Sequence, residues 1–90
     1  MDLKLKASQK DNRRYLLVSA SDEKVEEAIL KYLGVLGMAK AAYIKVEEKQ
    51  GKTIAGVRRE SLEDVKAALV LAGINVERVS GTLNGLKKWF

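Results

Sequence analysis

The sequence predicts an α+β sandwich: a four-stranded sheet with two helices, ordered β-α-β-β-α-β, and a short helix at the C-terminus. Three observations lead there. Four short runs rich in β-branched and aromatic residues are interleaved with two longer stretches of helical apolar spacing. Gly37, Gly51 and Gly73 fall where segments change character. A length of 90 residues suits one domain with a single core.

Each element can be justified in chain order. "RRYLLVSA", residues 13–20, is long enough for a strand and too short for a helix. Ser21 then offers an N-cap, with Asp22 and Glu23 in the first turn where the helix dipole favours anions. Val25, Ala28, Ile29, Tyr32, Leu33 and Leu36 make one apolar stripe, and Gly37 is the expected left-handed stop near Leu36. "AAYIKVEEKQGKTIAGVRR" reads as a hairpin closed by Gln50-Gly51. That turn places Ile44 opposite Val57 and Val46 opposite Ala55 on an apolar face. Tyr43 then faces Arg58, and Lys45 faces Gly56, on a mixed basic face.

Ser61 is the expected cap of the second helix, with Asp64 in a capping-box position. Leu62, Val65, Ala68, Leu69 and Ala72 form its inner stripe, while the "AALVLA" collar at residues 67–72 is apolar all round. In "INVERVS" the two valines, Val76 and Val79, stand three apart, so a bulge or an edge strand is expected. Thr82 can cap the final helix, whose Leu83, Leu86 and Trp89 or Phe90 recur on one side. This order implies the ferredoxin-like, RRM-like α/β sandwich over residues 13–90, preceded by a basic arm at residues 1–12. Both helices would lie on one sheet face, leaving the other to solvent or a partner.

Composition narrows the chemistry. The chain has no histidine and no cysteine, so it lacks the commonest general base, the best side-chain nucleophile and the usual zinc ligands. Its glycines fit neither phosphate-binding fingerprint. No apolar run approaches the ~20 residues of a membrane helix, and no signal-like leader opens the chain, so a cytoplasmic protein is expected. The net charge of +5 is segregated. Residues 1–14 carry +3 and residues 38–59 carry +4, against −2 in each helical block. Positive charge therefore gathers on strands, turns and termini, the footprint of a polyanion binder.

The closing segment "VSGTLNGLKKWF" resembles the C-terminal signature of the archaeal and eukaryal ribonuclease P protein component 2 family, where V-S-G-T-[IL] precedes a basic helix ending in phenylalanine. "AILKYLGVLGMAKAAYIKV" is similar to that family's first helix, its Leu-Gly-x-x-Gly exit and the Ala-Lys-Ala approach to strand two. "GVRRESLEDVKAALVLAG" is similar to its strand-three exit and second helix, and "RRYLLV" to its first strand. The four segments keep their order and together span residues 13–90.

The resemblance implies a non-catalytic cofactor of a ribozyme. The RNA subunit with Mg²⁺ would remove the 5′ leader of precursor tRNA. The protein, with a TIM-barrel-like companion subunit (component 3), would support the folded RNA. Its physical task would be to neutralise crowded phosphates. The expected RNA contacts are Arg13, Arg14, Lys45, Arg58, Arg59, Lys87 and Lys88; the alternative role of the first five is to solubilise a strand edge against aggregation. Val70, Leu71, Leu83, Leu86, Trp89 and Phe90 are the expected protein contacts; the collar is otherwise covered by the terminal helix. Tyr15 and Tyr43 would stack on bases or pack in the core. A rival reading is a ferredoxin-like regulatory or interaction module that never meets RNA.

Overall fold

A computed structural model describes residues 13–90; the basic arm expected at residues 1–12 lies outside them. Strand β1 (Arg13–Val18) leads into helix α1 (Asp22–Ala41), and strands β2 (Ile44–Lys49) and β3 (Lys52–Arg58) form the hairpin. A single 3-10 turn (Arg59–Ser61) precedes helix α2 (Leu62–Leu71). Strand β4 (Val76–Ser80) and helix α3 (Asn84–Lys87) complete the chain. All strand pairs are antiparallel and the order is β2-β3-β1-β4. Among the described residues no helix is long and apolar enough to cross a membrane.

One sheet face is covered by the two long helices. Leu16, Val18 and Val57 meet Val25, Ala28 and Ile29 of α1 and Val65 and Leu69 of α2 in a single buried cluster. Alternation along β1 and β3 sends Leu17 and Ile54 to the opposite face. There they form a second cluster with Leu86, ringed by Tyr15, Val46, Leu83 and Phe90. The expectation of an open second face is therefore corrected: α3 lies on it. The tail does not pack on the collar: Leu86 closes over Leu17 and Ile54, while Val70 and Leu71 stay exposed.

Three local expectations also change. Helix α1 does not stop at Gly37 but runs to Ala41, capped by Ala42 in the left-handed region (φ 51°). The break comes earlier, at Gly34, whose φ of 77° and ψ of 178° belong to backbone space that only glycine occupies freely. Beyond this kink the apolar stripe loses its partner, leaving Leu36 85% exposed and Val35 75% exposed.

The hairpin turn is as expected, with positive φ at Gln50 and Gly51. Near the turn Lys49 pairs with Lys52 and Glu48 with Thr53, but a bulge between Lys45 and Glu47 shifts the rest by one residue. Ile44 thus meets Gly56 and Lys45 meets Ala55. The extra residue lets Val46 join the outer cluster. Packing is close at Gly56, where a Cβ would lie 3.2 Å from Ile44 and 3.3 Å from Tyr15 and push both side chains outward by a few tenths of an ångström.

Ser61 is buried and makes no capping hydrogen bond, so the box with Asp64 does not form. The 3-10 turn gives Ser61 a φ of −102° and ψ of 0°, unlike the extended backbone of a serine cap. By contrast, Ser21 accepts from the Lys24 N–H as expected. The N-cap of the final helix is Leu83 and not Thr82, because the helix starts only at Asn84; the Thr82 hydroxyl still accepts from the Gly85 N–H at 3.3 Å. The bulge expected in β4 is present: Arg78 pairs with Leu17 and Val76 with Val18, leaving Glu77 between them. The Glu77 carboxylate accepts from the Ser19 hydroxyl and from Lys52. These contacts, the hydroxyl foremost, hold its pKa below the usual value of 4.5.

Leu86 is 1% exposed and fills the second cluster. Leu86→Ala should lower unfolding free energy by about 2–5 kcal/mol, read as a fall in the urea midpoint. Tyr43 packs against the helix-side core, and its phenol donates to Asp22 Oδ1 at 2.6 Å. Burial first, then this hydrogen bond and nearby carboxylates, raise its pKa well above 10.0. The folded state holds that proton more tightly than the unfolded chain, so the contribution is complete below pH 10 and is lost as pH rises. Tyr43→Phe should flatten the decline in stability between about pH 10 and pH 12.

Candidate nucleic-acid interface

The ends of β1 and β3 form the most cationic corner of the described chain. Arg13 and Arg58 stand directly opposite each other across the two central strands. Arg14 follows on β1, and Arg59 opens the 3-10 turn after β3. Like charges opposed on neighbouring strands cost stability, and nothing in the helix-side packing requires them here. The Arg13 guanidinium donates to the Ala42 carbonyl at 3.1 Å, tying the start of β1 to the end of α1. Arg14 donates to the Arg13 carbonyl at 2.9 Å. Arg58 and Arg59 are exposed, and among the described residues neither forms an ion pair with a carboxylate.

The remaining expected cations do not join this corner. Lys45 pairs with Ala55, whose other neighbour Leu16 faces the helices, so the bulge turns Lys45 away from the face of Arg13 and Arg58. Its ammonium lies 3.9 Å from Glu48. Lys87 is not an unpaired outward cation either: its Nζ is 3.1 Å from Glu47 Oε1. Lys88, the residue after α3, is exposed beside it.

Helix α3 is held across the sheet by contacts at both edges. Over β2, Lys87 meets Glu47 and the Lys49 ammonium lies 5.7 Å from the Phe90 ring centre. Over β4, the Arg78 guanidinium lies 3.6 Å from the Trp89 ring centre. Leu86 sits between, on Leu17 and Ile54. Sequence reasoning missed Arg78 and Lys49, since each meets a residue far along the chain that becomes its neighbour only once the tail folds back. The alternation of β4 puts Arg78 opposite Leu17, which is the one signal pointing to the tail's face.

This arrangement decides how the sheet face can be used. Its two central positions are aliphatic and sealed, so it is not a bare aromatic platform of the kind on which RNA bases stack. Tyr15 packs at the rim of that cluster and Tyr43 on the helix side. The expected protein contacts divide in the same way. Leu83, Leu86 and Phe90 are spent inside the molecule, whereas Val70 and Leu71 remain 68% and 65% exposed on α2. Beside them the Tyr32 phenol donates to the Leu71 carbonyl at 3.4 Å, lining a cleft of about 800 Å³ with Ser19, Lys24 and Glu27. Among the described residues no three carboxylates gather as a metal-holding group. Compared with known families and characterised proteins, the chain matches no family model and no curated sequence.

The opposed arginines give a measurable trade. Arg58→Gln should raise unfolding free energy by a few tenths of a kcal/mol at low salt, and the gain should shrink as salt screens the pair. Thermal unfolding at two ionic strengths reads both effects.

Proposed function

We propose that this chain is a non-catalytic, RNA-binding subunit of ribonuclease P. In this reading its arginine corner neutralises phosphates of the catalytic RNA while that RNA, with its Mg²⁺, removes the 5′ leader of precursor tRNA. The observation that carries the reading is the opposition of Arg13 and Arg58, with Arg59 exposed beside them. A protein tolerates such repulsion where an anion will relieve it. The four-segment resemblance across residues 13–90 supports the family, and the β2-β3-β1-β4 order with both long helices on one face supports the ferredoxin-like assignment. The exposed Val35, Leu36, Val70 and Leu71 supply apolar surface on the helical layer for a companion protein subunit.

The test is the salt dependence of binding. With wild type as reference, the triple variant Arg13→Gln, Arg58→Gln, Arg59→Gln should lose about two to three units of slope in log affinity against log salt. It should also support precursor-tRNA processing poorly when reconstituted with the RNA and companion subunit. An unchanged slope in a folded variant refutes the arginine corner. Failure of the wild-type chain to bind RNA at moderate salt would favour the interaction-module reading, in which the exposed apolar residues of α1 and α2 carry the function.

A further inference from the structure

Trp89 is the one large side chain of the tail that the fold does not consume. Leu86 is buried, and Leu83 and Phe90 are half-buried against the sheet, so the cluster over Leu17 and Ile54 closes without the indole. The tryptophan remains 47% exposed, with the Arg78 guanidinium 3.6 Å from its ring centre. Around it the charge is positive: Arg78 and Lys88 are exposed, and Lys49 approaches the neighbouring Phe90 ring. The nearest acidic side chain in sequence, Glu77, is engaged by Ser19 and Lys52.

We infer that the Arg78–Trp89 pair is a stacking site for a base of single-stranded RNA. This rests on the RNA-binding reading and adds to it the state of the strand recognised. A guanidinium stacked over the centre of an indole takes one face, orients the ring and leaves the opposite face for a second planar group. Unpaired bases offer a free π-face to such a platform, whereas bases inside a duplex do not. Cations beside the ring attract the flanking phosphates. Alternation puts Arg13, Leu17 and the partners Arg58 and Arg78 on one sheet face. Four residues along a strand and one strand across give roughly 14 Å between the arginine corner and the Trp89 platform. A strand of a few nucleotides can therefore touch both, with phosphates at the corner and a base at the indole.

Trp89 is the only tryptophan in the chain, so its emission reports on this site alone. Short single-stranded RNA should quench that emission strongly, because a stacked base lies in direct contact with the fluorophore. An abasic ribose-phosphate strand of equal length, and heparin, should bind without comparable quenching. Trp89→Leu, which leaves the Leu86 anchor of α3 in place, should weaken binding of the RNA about 5- to 150-fold and leave heparin binding unchanged. Trp89→Phe should restore much of the loss. Equal quenching by the abasic strand and the RNA, or an unaltered RNA affinity in folded Trp89→Leu, overturns the stacking site while leaving the arginine corner standing. Absence of RNA binding by the wild-type chain overturns both.

Discussion

Everything on the outer face of this protein depends on one apolar contact, the seating of Leu86 on Leu17 and Ile54. A four-stranded antiparallel sheet of this length has two faces to cover, and the two long helices cover only one. Leaving Leu17 and Ile54 in water would forfeit most of their transfer free energy. A helix of four residues has almost no stability of its own, so α3 exists because the sheet holds it. The edge contacts follow from that seat. Once Leu86 is placed, Lys87 is carried to Glu47 and Trp89 to Arg78. Exposed ion pairs of this kind contribute little alone, and here they mainly fix orientation.

Much of the fold was legible in the residues because local signals and long-range packing agree. Short β-branched and aromatic runs locate the strands, the 3.6 periodicity locates both long helices, and Gln50-Gly51 fixes the turn. What failed were features set by competition between distant parts. Leucines and a tyrosine at helical spacing look alike whether a core lies beneath them or not, so the stripe gave no sign that Tyr32 and Leu36 would stay exposed. Val46 has two possible faces, and the pull of the outer cluster moved the hairpin register by one residue. Lys45 was carried to the other side as a result. The candidate site was half legible: the four arginines lie in two adjacent pairs in the sequence, but their meeting needs β1 and β3 to be partners.

Charge and burial are partitioned by layer. The long helices carry Glu23, Glu26, Glu27, Glu63 and Asp64 on their exposed sides, and the arginines sit at strand ends and on the outer face. A macromolecule with one acidic and one basic side orients in the field of a polyanion before contact. The same partition lets the helical layer present apolar residues such as Val70 and Leu71 without drawing nucleic acid over them.

The break at Gly34 has a mechanical meaning. An uninterrupted helix transmits a disturbance along its hydrogen-bonded ladder, and a residue at φ 77° and ψ 178° removes rungs from the middle of it. The first half of α1 is anchored through Val25, Ala28 and Ile29, and the second through Ala41 and the Arg13 bond to Ala42. The two halves therefore hold their places through separate contacts, and a change that frays one does not unzip the other along a continuous ladder.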